Sequence, residues 1–172
     1  MKIFMIGLPG CGKTTLGKEI ASSLKLPFID LDAEIEERHG AAIREIFKQK
    51  GEDFFRAGES AQLKEWCRSE KSFVMATGGG APVFFDNLEA INRSGKSIFL
   101  DVPAREIARR ILNTPLAERP LLANATPDSL KDQIEFMRSQ RLPFYRKAHF
   151  IFSGNAISAD EVITEIRKGN PL

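Results

Sequence analysis

The feature that most constrains this fold is a glycine-rich segment near the N-terminus, residues 7–14. Its sequence, GLPGCGKT, matches the pattern G-x-x-x-x-G-K-[ST]. The apolar run 2–6 precedes it, and a helical pattern follows over about 13–25. At such a turn, glycines let successive backbone N–H groups point at phosphate oxygens, and the helix N-terminus adds partial positive charge. The segment therefore predicts a phosphate-binding loop and nucleotide binding, with a chance glycine-rich turn as the weaker alternative.

The polar groups of this loop indicate individual roles. Lys13 is expected to span the β- and γ-phosphates of a nucleotide, and the Thr14 hydroxyl to bind Mg²⁺. Cys11 allows two interpretations: a thiol activated by the helix N-terminus, or a small residue at a tolerant position, which we prefer. The predicted nucleotide-binding residues of this segment are Gly10, Cys11, Gly12, Lys13, Thr14 and Thr15.

Short apolar runs alternate with helical patterns along the rest of the chain. Strands separated by helices favour parallel pairing through right-handed crossovers, and runs that are apolar throughout indicate strands covered on both faces. We therefore predict an α/β fold, a three-layer α/β/α sandwich around a five-stranded parallel sheet. The predicted strands are 3–6, 28–31, 73–76, 98–102 and 150–152.

Two stretches interrupt this alternation within what we predict to be one domain, 1–172. Residues 32–70 are expected to hold two or three helices, whereas residues 113–127 contain three prolines and little helical pattern. Both begin near the carboxyl end of a predicted strand, which is where open α/β sheets bind their ligands. We interpret 32–70 as a substrate-binding insert and 113–127 as a lid.

Asp30 and Asp32 stand at the end of the second predicted strand. Two residues apart on a strand, they would share one face. Two carboxylates beside a phosphate site can divide the work, with Asp30 supporting Mg²⁺ and Asp32 orienting an acceptor hydroxyl and taking its proton. The alternative is that Asp32 only caps the helix that follows.

Arg56 and Glu59 lie three residues apart in a helical pattern, so their side chains would face the same way. Glu59 could hold Arg56 so that its planar fork grips a substrate carboxylate; the alternative is a surface ion pair of little energetic value. Three consecutive glycines, 78–80, follow the third predicted strand. Their entropic cost is explained best by close approach of a ligand to the backbone, and otherwise by a flexible turn.

Two arginines in the second half of the chain are candidates for handling anions. Arg119 lies in the predicted lid, from which it could reach the transferred phosphoryl group and neutralise its charge. Arg141 lies near the end of a helix predicted from about residue 128, and could supply a second cation for an acidic substrate. Taken alone, either residue is more often a solvated surface charge than a ligand-binding group.

Composition limits the classes of function. The net charge of +2 is too small to indicate a nucleic-acid or membrane partner, and the apolar runs fall well short of a membrane span of roughly 18 residues. The two cysteines and two histidines form no metal or redox spacing. We therefore expect a reduced, cytoplasmic protein that acts on small molecules. No segment resembles a regulatory domain, and we expect a monomer.

Together these motifs resemble the shikimate kinase family over nearly the whole chain. The phosphate loop is common to a very large class, whereas the other motifs in this order are far more specific. They are Asp30-Leu31-Asp32, Ile46-Phe47, Gly51-Glu52, Phe55-Arg56, Glu59, Gly78-Gly79-Gly80, Arg119-Pro120-Leu121-Leu122, and Arg141 with Pro143 and Tyr145.

The resemblance implies a fold like that of P-loop NTPases and nucleoside monophosphate kinases. It implies transfer of the γ-phosphoryl group of ATP to the 3-hydroxyl of shikimate, a step towards chorismate and the aromatic amino acids. The implied roles are Mg²⁺ support by Thr14 and Asp30; catalysis by Lys13, Asp32 and Arg119; shikimate binding by Asp32, Arg56, Arg141 and the backbone of Gly78, Gly79 and Gly80; and adenine packing by Arg110 with the loop 153–155.

Two other readings stay open at this point. One is another small-metabolite kinase on the same scaffold, acting on gluconate or a nucleoside monophosphate. The second is a non-catalytic nucleotide-binding regulator, which would be expected to lack Lys13, Asp32 or Arg119; all three are present.

Overall fold

The structure is a computed structural model that describes residues 1–112 and 127–169. The predicted lid, apart from residue 127, lies outside the described residues, and so does Arg119. The strands are β1 (Lys2–Ile6), β2 (Phe28–Asp30), β3 (Phe73–Ala76), β4 (Lys96–Asp101) and β5 (Phe150–Ser153). The helices are α1 (Lys13–Leu24), α2 (Leu31–His39), α3 (Ile43–Arg68), α4 (Asn87–Ser94), α5 (Ala104–Leu112), α6 (Pro127–Tyr145) and α7 (Ala159–Lys168).

The five strands form one parallel sheet in the order β2-β3-β1-β4-β5, which confirms the predicted fold class. The central strand β1 is flanked by β3 and β4, with Met5 opposite Ala76 and Ile6 opposite Phe99. Because all strands run the same way, their carboxyl ends meet at one edge. The phosphate loop, the aspartates and the triple glycine follow β1, β2 and β3 at this edge.

In β1 and β3, alternate residues over 3–5 and 73–75 enter two separate apolar clusters. Ile3 and Met5 pack in one cluster with Ile20 of α1 and Val162 of α7. Phe4 packs in the other, with helices α2 to α4. Burial on both faces explains why β1 is apolar throughout rather than alternating.

The residues predicted as an insert form α2 and α3. Helix α3 is interrupted at Gly51, whose φ of 83° and ψ of 171° lie outside the helical region. The segment therefore contains three helical pieces, and the piece after Gly51 carries Arg56 and Glu59. None of the helices in the described part of the chain is long and apolar enough to cross a membrane.

Candidate active site

The phosphate loop has the backbone that its glycines predict. Gly7, Gly10 and Gly12 have φ values of 145°, 84° and 104°, a region that other residues rarely adopt. Gly12 is the N-cap of α1 and offers no side chain to its first N–H groups, which leaves them for an anion. The Lys13 ammonium donates to the carbonyls of Gly7 and Leu8, each at 3.0 Å, so the cation is held inside the loop.

Cys11 is only 2% exposed and belongs to the apolar core. Reactive thiols are accessible and lie in electropositive surroundings, so this burial favours the interpretation as a small packing residue. Its carbonyl oxygen has a separate use, because it accepts a hydrogen bond from Arg110 at 2.8 Å.

Asp30 joins the phosphate loop to α2. Its Oδ2 accepts from the Thr14 hydroxyl at 3.0 Å, and its Oδ1 accepts from the backbone of Asp32 at 3.1 Å. The helix cap is therefore Asp30 and not Asp32, which corrects the alternative given above. The Thr14 and Asp30 oxygens are hard ligands of the kind that Mg²⁺ accepts beside nucleotide phosphates, so this donor set fits the predicted metal.

Asp32 is in the first turn of α2, because β2 ends at Asp30. The expectation that the two aspartates share a strand face is therefore wrong, although both line the same cavity. Burial raises the pKa of Asp32 from 3.8 to about 6, with the Asp30 carboxylate adding to the effect and the Lys13 ammonium opposing it. A carboxylate with this pKa is ionised at neutral pH and can still accept a proton.

Arg56 and Glu59 form a buried ion pair rather than a surface one. Their relative exposures are 6% and 1%, and Nη1 of Arg56 donates to Oε2 of Glu59 at 2.8 Å. Nε of Arg56 also donates to Glu52 at 3.3 Å. Burial raises the pKa of Glu59 to about 7, against the opposing effect of the Arg56 guanidinium. The pair fixes the guanidinium at the wall of the cavity.

The triple glycine packs directly against charged side chains of the site. A Cβ on Gly78 would lie 2.7 Å from both Asp32 Oδ1 and Glu59 Oε1. On Gly79 it would lie 3.0 Å from Arg141 Nη1, and on Gly80 2.5 Å from Arg56 Nη1. The glycines thus leave room for Pro9 and for the protein's own carboxylates and guanidinium groups, as well as for a ligand.

Arg141 projects from α6 into the same region. Its Nη1 is buried and has no hydrogen-bond partner among the residues that the structure describes. The neighbouring Tyr145 donates its hydroxyl to the Gly79 carbonyl at 2.5 Å, which ties the end of α6 to the triple glycine. Burial raises the pKa of Tyr145 well above its ordinary value. A buried guanidinium N–H without a partner is costly, and an anionic ligand would satisfy it.

A cavity of about 1010 Å³ brings these groups together. It also contains residues that sequence reasoning missed, notably Glu36 and the segment 42–45. Glu36 lies four residues after Asp32, on the same face of α2, and this spacing was the available signal. The predicted residues that line the cavity are Gly10, Lys13, Thr14, Asp30, Asp32, Arg56, Gly78, Gly79, Gly80 and Arg141.

A second cavity of about 580 Å³ also borders the phosphate loop. Thr15, Arg110 and Asn155 line it, as do Lys13 and Thr14, which line both cavities. Arg110 donates to the carbonyl of Asn155 at 2.6 Å. Arg109 and Arg110 both pair with Glu106, but Arg110 lines this cavity whereas Arg109 is not among its lining residues.

The phosphate loop between β1 and α1 borders two cavities, and Lys13 and Thr14 line both of them. This arrangement defines a P-loop kinase with one site for the nucleotide and one for a small acceptor. The family model for shikimate kinase matches residues 9–169, and the chain belongs to the shikimate kinase family.

Individual relatives support this membership. The chain is 43% identical to the shikimate kinase of Bacteroides fragilis over 157 residues, which cover 91% of this chain and 87% of that protein. The crystal structure of the Bacteroides thetaiotaomicron shikimate kinase superposes with a TM-score of 0.89 at 39% identity, covering 98% and 97% of the two chains. The Acinetobacter baumannii enzyme in complex with shikimate gives a TM-score of 0.86 at 32% identity, covering 97% and 90%.

These findings confirm the predicted family, the fold class and the assignment as an ATP-dependent kinase acting on an alcohol group. They favour shikimate over gluconate or a nucleoside monophosphate as the acceptor. The roles of individual residues remain predictions.

Proposed function

We propose that this protein transfers the γ-phosphoryl group of ATP to the 3-hydroxyl of shikimate, giving shikimate 3-phosphate and ADP on the route to chorismate. The observation that carries the proposal is the composition of the larger cavity. It places the cations Arg56 and Arg141 in the same cavity as the phosphate loop, with the carboxylate of Asp32 facing the same space. A compact acceptor that carries a carboxylate and hydroxyl groups matches this arrangement.

Arg56 and Arg141 bind the carboxylate in this proposal. Nη1 of Arg141 supports the assignment: it has no hydrogen-bond partner within residues 1–112 and 127–169, and a carboxylate oxygen would supply one. Arg56 is already held by Glu59 and Glu52, so little side-chain freedom is lost when it binds a ligand.

Asp32 acts as the base. Its pKa of about 6 leaves it ionised at neutral pH. It lies beside Gly78 and lines the same cavity as the two arginines and the phosphate loop. It accepts the proton of the acceptor hydroxyl as that oxygen attacks the γ-phosphorus. Lys13 exchanges its bonds to the loop carbonyls for bonds to the β- and γ-phosphates.

Thr14 and Asp30 would hold Mg²⁺. The ion neutralises phosphate charge when bound. Among the described residues no group of three or more His, Cys, Asp or Glu side chains could hold a metal by itself. This agrees with an ion that takes most of its ligands from the nucleotide and water.

The remaining assignments concern the lid and the nucleotide. Arg119 is proposed to neutralise the transferred phosphoryl group, and Arg110 with Asn155 to border the adenine ring, next to the backbone from Gly10 to Thr15. Arg110 is supported by its place in the second cavity; Arg119 is supported by the motif alone. The monomeric state and the cytoplasmic location also remain predictions.

The direct test is identification of the product. Purified protein is incubated with ATP, Mg²⁺ and shikimate, and the phosphorylated product is analysed by ³¹P and ¹H NMR. A phosphate ester at the 3-position supports the proposal. Phosphorylation at another hydroxyl would reject the proposed orientation, and no ester at all would reject the function.

A further inference from the structure

An aromatic ring outside the acceptor cavity packs on its central arginine. The guanidinium carbon of Arg56 lies 4.4 Å from the ring centroid of Phe84, nearer than the 5.1 Å to Phe55 and the 5.7 Å to Phe47. Phe47 and Phe55 line the cavity, but Phe84 is not among its lining residues. Phe84 therefore contacts the cation without facing the space that the acceptor would occupy.

The loop that carries Phe84 is fixed at both ends. Near its start, the Val83 N–H donates to the Gly80 carbonyl at 2.8 Å. At its end, the Asn87 amide donates to the Ala81 carbonyl at 2.8 Å and accepts from the Ser60 hydroxyl at 2.6 Å. Ser60 is on α3, one turn after Arg56, so the loop is tied to the helix that carries the arginine.

The backbone next to Phe84 is strained. Phe85 has φ 53°, in the left-handed region, although its side chain is 66% exposed and gains little from burial. An aromatic residue adopts this conformation only when the surrounding structure imposes it, and such strain concentrates at functional sites. The Phe84 ring, next to this turn, lies against Arg56.

We propose that Phe84 is a positioning residue for the acceptor carboxylate and acts through Arg56; this inference rests on the proposed function. Arg56 has five N–H groups, of which one is bonded to Glu59 and one to Glu52, and these bonds hold the guanidinium within its plane. The Phe84 ring restricts rotation out of that plane. The remaining N–H groups are thereby directed at the cavity, where they can bind a carboxylate in two places.

The test compares shikimate kinetics of Phe84→Leu and Phe84→Tyr. Leucine keeps an apolar side chain but loses the aromatic face, so we expect the KM for shikimate to rise about 5- to 30-fold, the range of a desolvated cation–π contact. The kcat and the KM for ATP should change by less than about twofold, because the carboxylate is bound equally in the ground and transition states. Tyrosine keeps the face and should restore the KM.

Phe85→Leu is the matched control, since it changes the adjacent exposed ring and should leave both KM values unaltered. The methyl ester of shikimate, used as a competing ligand and substrate, separates positioning from general damage. If Phe84 acts through the arginine and the carboxylate, Phe84→Leu weakens binding of the acid much more than that of the ester. Equal weakening of acid and ester would overturn the proposal.

Two outcomes distinguish this inference from the proposed function. No turnover of shikimate by the unsubstituted protein would reject the function itself. Normal turnover with an unchanged KM in folded Phe84→Leu would reject the positioning role alone. If thermal unfolding shows that Phe84→Leu is unfolded, Phe84→Met replaces it. The proposal then requires that Phe84→Met raise the KM for shikimate more than that for its methyl ester.

Discussion

The guanidinium of Arg56 occupies the space beside Gly80 that any other residue's side chain would need. A Cβ at Gly80 would come within 2.5 Å of Arg56 Nη1 and 2.7 Å of its Cζ. Arg56 cannot move aside freely, because Glu59 and the Phe84 ring hold it. Residue 80 must therefore be glycine if the Arg56 guanidinium is to stay where it is.

Substitution of Gly80 tests this relationship. We expect Gly80→Ala to displace the guanidinium and to raise the KM for shikimate about 10- to 100-fold, since misplacement by about 1 Å has effects of this size. Gly58→Ala is the matched control. Gly58 is on the same helix as Arg56, and its Cβ would make only an ordinary 3.6 Å contact with His39 of α2. Alanine at this helical position should stabilise the fold by about 0.5–1 kcal/mol without altering kinetics. An unaltered KM in Gly80→Ala would show that the arginine is not so constrained.

The two arginines should differ in their effect on stability. Arg56→Ala leaves Glu59 buried without its partner, and we expect a loss of about 3–5 kcal/mol in the free energy of unfolding. Arg141→Ala removes a group whose Nη1 has no partner in the described structure, and should cost about 1 kcal/mol or less.

Both arginine variants should raise the KM for shikimate about 10- to 100-fold, the value of a charged hydrogen-bonded contact. Steady-state kinetics and urea unfolding measure the two effects separately. The control is Arg146→Ala, which removes an exposed arginine just after α6. A normal shikimate KM in Arg56→Ala would show that the carboxylate is bound elsewhere.

Asp32 predicts a pH dependence of the reaction. The base must be ionised, so kcat/KM should fall about tenfold per pH unit as pH decreases through about 6. Asp32→Asn should have little activity at any pH, with no such limb in what remains. If the kcat/KM of the wild-type protein stayed constant between about pH 5 and 7, Asp32 would be excluded as the base.

The raised pKa of Asp32 should also make the free energy of unfolding depend on pH. Its pKa is about 6 when folded and near 3.8 when unfolded, so ionisation favours the unfolded chain. The resulting destabilisation is absent below pH 3.8, grows between the two pKa values and is complete above 6. Asp32→Asn should therefore be more stable than wild type by about 2–3 kcal/mol at pH 7.5, and lose this advantage by about pH 4. Urea unfolding at both pH values measures the difference; an equal stability at pH 7.5 would contradict the raised pKa.

Arg119 is expected to act in the chemical step. Its replacement by alanine should lower kcat about 100- to 1,000-fold, with a smaller change in the KM for shikimate, because the developing phosphoryl charge is present only in the transition state. Lysine at the same position should restore part of the rate, since it keeps the charge. A kcat within about twofold of wild type in Arg119→Ala would remove this residue from the mechanism.

Much of the fold was predictable because its signals are local. The strands are continuous apolar runs covered on both faces, and the start of α1 is marked by the phosphate loop. The end of β2 was predicted one residue late, since both Asp30 and Asp32 are good caps and only the backbone geometry decides between them.

The site was predictable where a motif carries its own chemistry, as at Lys13, Thr14 and Arg56. The site was less predictable where a residue is explained by its contact with a segment distant in sequence. Nothing local indicates that Gly79 makes room for Arg141, or that Phe84 covers Arg56. These contacts join segments that meet only after the sheet has formed.

ADP release from ATP and Mg²⁺, compared for shikimate, gluconate, AMP and no acceptor, decides which acceptor this kinase uses. Lys13→Ala, prepared in the same way, controls for contaminating kinases. We expect release by the unsubstituted protein with shikimate only, and none by Lys13→Ala. Release with gluconate or AMP instead would contradict the acceptor assignment, and nucleotide binding without acceptor-dependent release would contradict the assignment as an enzyme.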